Sequence, residues 1–181
     1  VGHHRRDNGN AQLGGLLQDP VHLVAARDAL RERDRQGRFV AERAPFQHLD
    51  LRAALVGSTH TDAFRWVNGE NDGLPGLVLD VYRDTVVMKL YTPAWLPFVD
   101  ELVGAIAAVR DPSCLVLRLS RSTIADGGDE LDGTALIGEL PDAPVRFLEN
   151  DLHFEADVVA GQKTGHFLDQ RENRLRVRGM C

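Results

Sequence analysis

The sequence predicts an α+β fold whose centre is a module of mixed strands and helix. Three observations within residues 61–120 predict it. Two apolar runs separated by an Arg-Asp turn form a β-hairpin over residues 77–91. Seven apolar side chains recur at helical spacing over residues 93–110 and predict one amphipathic helix. A run of aliphatic and β-branched residues at 114–119 predicts a further strand, which completes the module.

The composition is that of a globular chain with an acidic balance. The 181 residues are 43% hydrophobic and 27% charged, with a formal net charge of -6. This balance argues against non-specific nucleic-acid binding by the whole surface, although a local basic patch remains compatible with it. No apolar run approaches the roughly 18–20 residues of a membrane span, so we expect no membrane partner. Cys114 and Cys181 make neither a disulfide framework nor a metal site, which suits a cytoplasmic location.

Residues 1–57 are predicted to be a polar, partly helical N-terminal region. Residues 1–19 are rich in Gly, Asn, Asp, Arg and His, and we expect them to form a poorly ordered N-terminal segment. Pro20 begins a predicted helix, which is densely charged at its end before Gly37. Residues 48–56 suggest a second short helix. Since the first residue is Val and helical sequence continues to the last residues, we expect a fragment of a longer protein.

The segment before the hairpin is rich in turn signals. A short strand around Trp66 is followed by Asn-Gly, Asp-Gly and Pro-Gly pairs, which favour turns. The nearby acids Glu70, Asp72 and Asp80 suggest a divalent-cation site as one alternative. Their spacing does not fit an EF-hand loop, so turn chemistry is the favoured interpretation and no metal ligand is predicted.

The second half of the chain predicts a loop and then two strands. Residues 121–143 are polar and contain several glycines, which is typical of a loop. Residues 145–148 and 152–159 predict strands, and the second alternates apolar and polar side chains as a half-buried strand does. His153 is expected to face outward.

Residues 161–174 are the most informative stretch of the chain. Gly161 and Gly165 bracket an amide, a cation and a hydroxyl, a combination typical of a loop that contacts a ligand. The stretch then continues into a predicted helix, which carries Asp169, Gln170, Arg171 and Arg174.

Two runs of the chain resemble one protein family. Residues 65–80 read Arg-Trp-Val-Asn-Gly-Glu-Asn-Asp-Gly-Leu-Pro-Gly-Leu-Val-Leu-Asp, and residues 160–174 read Ala-Gly-Gln-Lys-Thr-Gly-His-Phe-Leu-Asp-Gln-Arg-Glu-Asn-Arg. In residue sequence, order and separation, both runs are similar to segments of the class I S-adenosylmethionine-dependent methyltransferases that modify cytosine C5 of large-subunit ribosomal RNA. His166 departs from this pattern, because the family usually has a bulky apolar residue there.

The resemblance implies a domain organisation. Family members have an N-terminal RNA-binding PUA barrel, a central α+β module and a C-terminal Rossmann-like methyltransferase domain. By analogy, residues 58–143 are the central module and residues 144–181 open the methyltransferase domain with a hairpin and a helix. Residues 1–57 hold the position of the PUA barrel without resembling one in sequence. The family's cofactor-binding glycine-rich turn and catalytic cysteine would lie beyond residue 181, so we expect this chain to be inactive by itself.

The resemblance also implies a cofactor, a partner and a set of cofactor-binding residues. The cofactor is S-adenosyl-L-methionine and the partner of the intact protein is RNA, most simply ribosomal RNA. Lys163 is as well suited to an RNA phosphate as to the cofactor. No residue of this chain is predicted to be catalytic, Cys181 included, since no base lies near it in sequence. The predicted cofactor-binding residues are Gln162, Lys163, Thr164, Gly165, Phe167, Asp169, Gln170 and Arg171.

A second function remains open at this stage. Without a catalytic half, the chain would serve as a non-catalytic module that positions RNA or binds another protein. Exposed Leu168, Leu175 and Val177 on the last helix would favour self-association. A phosphate-binding loop, a zinc-spaced set of Cys and His, and a nucleophile elbow are all absent from the sequence, which disfavours a nucleotide- or metal-dependent enzyme.

Overall fold

The computed structural model describes residues 52, 55–56, 58–125 and 129–180. The polar segment of residues 1–19 and the first predicted helix therefore lie outside the described residues. The same is true of Cys181 and of most of the short helix predicted at residues 48–56.

A five-stranded sheet forms the centre of the described chain. Its strands are β1 (Ala63–Asn68), β2 (Leu77–Tyr82), β3 (Thr85–Leu90), β4 (Cys114–Leu119) and β5 (Ala135–Ile137), and they lie in this order across the sheet. Only β3 and β4 pair in parallel; the other three neighbouring pairs are antiparallel. The predicted strands at 77–82 and 114–119 have the observed bounds. Strand β5 lies within the stretch that was predicted to be a loop.

Local sequence explains how the first three strands connect. The β2–β3 turn places Arg83 in the left-handed region, at φ 60°, and this allows two residues to reverse the chain. A 3-10 turn at Gly69–Asp72 follows β1, and Gly73 ends it with φ 71°. Gly76 has φ 74°, and a Cβ there would lie 2.7 Å from the Thr92 side chain, so this position requires glycine.

The helix α1 (Val99–Arg110) makes the crossover that brings β4 parallel to β3. It is preceded by a 3-10 turn, Pro93–Phe98, whereas the sequence predicted one helix from residue 93. Pro97 explains the difference, because proline donates no backbone hydrogen bond and interrupts a regular α-helix. The helix ends at Asp111, which is left-handed with φ 48°.

The sheet is buried on both faces. Every residue of β2 and of β4 is buried, as in a sheet covered on both sides. The first face packs against α1 through a large apolar cluster that includes Trp66, Trp95, Leu102, Ile106, Leu115 and Leu117. A smaller cluster on the second face contains Ala63, Tyr82, Val87, Cys114, Val116, Phe147, Ala156, Val158 and Leu168.

The second face is covered by a separate hairpin. Its strands are β6 (Val145–Glu149) and β7 (Leu152–Ala156), and β7 ends three residues before the predicted end. The hairpin joins the residues before β1: the Asp62 amide donates to the Leu148 carbonyl at 3.1 Å, and the Leu148 amide donates to the Asp62 carboxylate at 2.6 Å. A domain boundary at residues 143 and 144 stays a prediction, and the two predicted parts share the second apolar cluster.

The described chain ends in a short helix. A 3-10 turn, Leu168–Gln170, precedes the helix α2 (Arg171–Arg178), so Asp169 and Gln170 lie before the α-helix rather than on it. The expectation that Leu168 is exposed is wrong: it is 7% exposed, because the 3-10 turn places it in the second apolar cluster. Leu175 and Val177 are exposed, as predicted. Among the residues that the structure describes, no helix is sufficiently long and apolar to cross a membrane.

Replacing Ile106 tests the packing of α1. Ile106 is fully buried, whereas Val109 on the same helix is 39% exposed. We expect Ile106→Ala to lower the free energy of unfolding by roughly 2–5 kcal/mol, since it removes buried methyl groups and leaves a cavity. The control Val109→Ala should change the free energy of unfolding by no more than about 0.5 kcal/mol. Urea denaturation measures both, and equal losses would contradict the packing described above.

Candidate functional site

A fully buried carboxylate attaches the stretch 161–167 to the sheet. Asp80 in β2 is 0% exposed and points to the second face. The Arg65 guanidinium on the neighbouring strand donates to both Asp80 oxygens, at 2.9 and 3.0 Å. The Thr164 hydroxyl donates to Asp80 Oδ2 at 2.5 Å from 84 residues further along the chain. The Asp80 hydrogen bond raises the pKa of Arg65, as expected for an ion pair of this geometry.

Tyr82 extends this network. Its hydroxyl lies 3.2 Å from Thr164 Oγ1. Because the Thr164 hydroxyl proton is directed at Asp80, Tyr82 is the donor in this contact. Burial raises the pKa of Tyr82, and the negative charge of Asp80 raises it further, so the phenol stays protonated and able to donate.

Arg118 holds the start of the same stretch from β4. Its guanidinium donates to the carbonyl of Val158 at 3.2 Å and to that of Gly161 at 3.3 Å, and it lies 3.6 Å from Asp132. Asp157 accepts from the amides of Ala160 and Val159, at 2.8 and 3.1 Å. Arg118 and Asp157 thus hold the backbone of residues 158–161 through hydrogen bonds to its carbonyls and amides.

Gly161 and Gly165 allow the stretch to pack closely against Asp157. A Cβ on Gly165, which has φ 113°, would lie 2.8 Å from the Asp157 carbonyl oxygen, and a Cβ on Gly161 would also collide with that oxygen. Both positions therefore require glycine so that the stretch can fold onto the end of β7. Gly165 and the 1% exposed Thr164 face inward, so a direct cofactor contact by Thr164 would require loss of its bonds to Asp80 and Tyr82.

Three of the predicted cofactor-binding side chains lie together on the outside. Lys163 Nζ is 4.4 Å from the centre of the Phe167 ring and 3.3 Å from Asp169 Oδ2. Phe167 is 40% exposed, and the side chains of Lys163 and Asp169 are 39% and 42% exposed. Partial burial alone would raise the pKa of Asp169, but hydrogen bonds from Lys163 and Gln170 lower it overall. This outer group offers a carboxylate, an ammonium and an aromatic face.

The remaining predicted residues lie at the edges of this group. Gln162 is exposed. Gln170 donates to Asp169 at 3.4 Å and accepts from Asn173 at 2.7 Å. Arg171 donates to the Asn150 side chain at 3.1 Å, while its Nε is buried without a hydrogen-bond partner. Arg171 thus faces the β6–β7 turn rather than Asp169.

His166 occupies an aromatic pocket in place of the expected apolar residue. Its ring centroid lies 5.1 Å from that of Phe147 and 5.3 Å from that of Phe154. Burial lowers the pKa of His166, and the positive charge of Arg174 lowers it further, which favours a neutral ring suited to this pocket. Arg174 itself donates to both oxygens of the buried Glu149, each at 2.6 Å.

The acidic residues that suggested a metal alternative do not converge. Asp72 accepts from Arg52 and from the Asn68 amide, whereas Asp80 belongs to the Arg65 network. Within the described part of the chain, no group of three or more His, Cys, Asp or Glu side chains is arranged to hold a metal ion.

The sequence did not predict the ion pairs of Asp80 and Glu149, whose carboxylates are buried. One detectable signal was Asp80 itself, a charged residue inside an otherwise apolar strand, which in a folded protein needs a partner. The pairing of Glu149 with Arg174 had no comparable local signal, because it depends on how α2 packs against the β6–β7 turn.

The chain is similar to methyltransferases, in sequence and in fold. Its relatives among curated proteins are named ribosomal RNA large subunit methyltransferases, and the similar solved structures are assigned as methyltransferases. No protein-family model matches the sequence.

Individual relatives show how far this similarity extends. The ribosomal RNA large subunit methyltransferase of Deinococcus radiodurans is 50% identical over 139 residues, which cover 73% of this chain and 34% of the relative. The ribosomal RNA large subunit methyltransferase I of Shewanella denitrificans is 36% identical over 68% of this chain and 31% of its own length. The chain therefore spans about a third of the length of these relatives.

Two solved structures share the fold. A protein from Streptococcus mutans assigned as a SAM-dependent methyltransferase superposes with a TM-score of 0.62 at 26% identity, over 74% of this chain and 34% of its own. A methyltransferase structure complexed with SAH gives a TM-score of 0.61 at 26% identity, over 72% of this chain and 32% of its own.

Removing the Thr164 hydroxyl tests the buried network. Thr164→Val keeps the shape of the side chain but leaves Asp80 and Tyr82 each short of one partner. We expect a loss of roughly 1–3 kcal/mol in the free energy of unfolding, measured by urea denaturation. Thr134→Val is the matched control, since the Thr134 hydroxyl donates to the Leu131 carbonyl at an exposed site. A loss no larger than that of the control would show that the network does not stabilise the fold.

The Tyr82 pKa predicts a loss of stability at alkaline pH. Its pKa is raised in the folded protein, so the stabilisation is complete below the unfolded-state value of about 10 and decreases as the pH rises above it. We expect the midpoint of urea denaturation to fall between about pH 9 and pH 11, and to fall less steeply in Tyr82→Phe. Identical pH slopes for the two proteins would contradict the raised pKa.

Proposed function

We propose that this chain is part of an S-adenosylmethionine-dependent methyltransferase that modifies large-subunit ribosomal RNA. The observation that carries the proposal is the 50% identity to the Deinococcus radiodurans methyltransferase over 139 residues. The likeness of fold to a methyltransferase complexed with SAH supports the choice of cofactor. The chain covers 34% of the Deinococcus relative, so the activity is proposed for the longer protein, and the chain alone is proposed to be inactive.

The outer group of the stretch 161–171 fits the chemistry of the cofactor. S-adenosylmethionine carries a sulfonium and an ammonium, and it supplies an electrophilic methyl group. Asp169 provides a carboxylate for a cation, and the exposed Phe167 ring already accepts the Lys163 ammonium at 4.4 Å, a contact that a ligand cation can also make. We therefore propose that Phe167 and Asp169 bind and orient the cofactor, with Gln162 and Gln170 at the margins of the site.

The inner residues are proposed to position this group. Thr164 and Gly165 hold the backbone against β2 and β7, so that the outer side chains are presented without further ordering. A rigid loop lowers the entropic cost of binding. Arg171 is directed toward Asn150, and we propose that it fixes the start of α2 relative to the β6–β7 turn.

We add two narrower proposals, the first from the resemblance of the sequence runs and the second from the lack of a disulfide framework. The first is that the methyl acceptor is cytosine C5, which requires an unstacked base and so favours unpaired RNA. The second is that the protein works in the cytoplasm. Nucleoside mass spectrometry of methylated RNA tests the first, and fractionation of cells that express a tagged protein tests the second. Association of the chain with itself through exposed Leu175 and Val177 is a separate proposal, tested by sedimentation.

A chimera tests the main proposal. Residues 58–181 would replace the matching segment of the Deinococcus radiodurans relative, and cofactor binding would be measured by calorimetry. We expect the chimera to bind S-adenosylmethionine and the 181-residue chain alone to show no appreciable binding. Transfer of a labelled methyl group to ribosomal RNA is the second measurement.

Single substitutions in the chimera locate the cofactor contacts. Asp169→Asn should weaken cofactor binding about tenfold, since it removes the charge that attracts the ammonium. Asp142→Asn, at an exposed site outside the stretch 161–171, is the matched control and should leave the affinity unchanged. A folded chimera that binds no cofactor would contradict the proposal and favour the alternative of a non-catalytic RNA-positioning module.

A further inference from the structure

The two lysines of this chain are in direct contact. The sequence contains 21 basic Lys and Arg residues, of which only Lys89 and Lys163 are lysines. They lie 74 positions apart, yet Lys89 Nζ donates to the Lys163 carbonyl oxygen at 3.1 Å. In a chain that otherwise uses arginine, both lysines thus occur at one place in the fold. Lysine and arginine are not equivalent there, because an ammonium is a point charge with three rotatable donors.

Lys89 lies at the polar end of the second face of the sheet. The period-two alternation of the strands places Arg65, Asp80, Lys89 and Arg118 on this face. Lys89 pairs with Arg118 in the register of β3 and β4. The other end of the face is apolar and is covered by the β6–β7 hairpin.

Lys89 is the cation of this group that lacks a carboxylate partner among the described residues. Arg65 pairs with Asp80, Arg118 lies 3.6 Å from Asp132, and Lys163 lies 3.3 Å from Asp169. Among the described residues Lys89 makes no ion pair with a carboxylate, and its ammonium donates to a backbone carbonyl instead. Burial lowers the pKa of Lys89 and the nearby charge of Arg118 lowers it further, while the negative charge of Asp132 partly opposes them.

An exposed aromatic ring lies beside this ammonium. Lys89 Nζ is 5.6 Å from the centre of the Tyr91 ring, and Tyr91 is 47% exposed. On the other side, Lys163 lies over the Phe167 ring. Proteins that bind single-stranded nucleic acids combine cationic groups with exposed aromatic rings. The cations pair with phosphates, and the bases stack on the rings.

We propose that Lys89, Lys163 and Tyr91 form a binding surface for single-stranded RNA, in which the two ammonium groups contact a phosphate and an unpaired base stacks on Tyr91. This proposal rests on the proposed function, because the surface would place the RNA beside the proposed cofactor-binding residues Phe167 and Asp169. A base-paired RNA fits it poorly, since its bases are stacked on one another and do not offer a free face.

Lysine labelling tests this surface on the unaltered chain. Reductive methylation with carbon-13 formaldehyde labels Lys89, Lys163 and the α-amino group, and a Lys89→Arg variant assigns the signals. The probe is an oligouridine of roughly ten nucleotides, added without cofactor. We expect both lysine signals to shift and the α-amino signal to stay in place. Unshifted lysine signals at saturating RNA, or an absence of RNA binding, would overturn the proposal.

Substitutions separate the two contacts. Tyr91→Ala should weaken binding of a fluorescent oligouridine about tenfold or more through loss of stacking. Lys89→Gln should weaken it and lower the slope of affinity against salt by about 0.7 for one lost phosphate contact. Arg83→Gln is the control, because it removes an exposed positive charge at the opposite end of β2 and β3. Thermal melting confirms that each variant is folded.

Three outcomes would contradict this surface specifically. The first is an equal loss of affinity in Arg83→Gln, which would indicate non-specific electrostatics. The second is equally tight binding of a double-stranded RNA. The third is a shift of the lysine signals by S-adenosylmethionine and not by RNA, which would assign the lysines to the cofactor. None of these measurements requires methyl transfer, so failure of this proposal is distinguishable from failure of the methyltransferase proposal.

Discussion

The buried Asp80 carboxylate is the interaction on which the candidate site depends. A carboxylate with no solvent exposure is tolerated only when its charge and lone pairs are satisfied, and Arg65 and Thr164 together achieve this. The consequence is geometric, since the chain at Thr164 must lie on the second face of the sheet for the charge to be stable. Through this one requirement, β1, β2 and the stretch 161–167 are held in a fixed relation.

The elements that the sequence predicted correctly are those with strong local signals. Strands β2, β3 and β4 are mostly apolar runs between clear turns, so their bounds needed no tertiary information. Strand β5 has three residues and owes its existence to pairing with β4, which no local pattern encodes. Leu168 was wrongly assigned to the surface because its burial depends on a cluster assembled from both halves of the chain.

The sequence proposed the candidate site, but it did not predict how the site is divided into inner and outer residues. Residues 161–174 were singled out because an amide, a cation and a hydroxyl lie between two glycines, and their role in cofactor binding stays a prediction. The structure divides them into an inner part, where Thr164 and Gly165 pack against the sheet, and an outer part with Lys163, Phe167 and Asp169. This division depends on a partner 84 positions away, and pairing over such a distance is invisible to periodicity.

The polar end of the second face explains why binding groups collect at this place. Three of the four ionisable side chains there are cations, and the one carboxylate is already used by Arg65 and Thr164. The loop that covers them places backbone carbonyls against Arg118 and Lys89, and Arg118 also lies 3.6 Å from Asp132. Among the described residues of this group, Lys89 is therefore the cation that no ion pair balances. This ammonium lies beside the exposed Tyr91 ring, as the proposed RNA surface requires. A phosphate is the partner that we propose for this ammonium, because a phosphate supplies the negative charge that the Lys163 carbonyl does not.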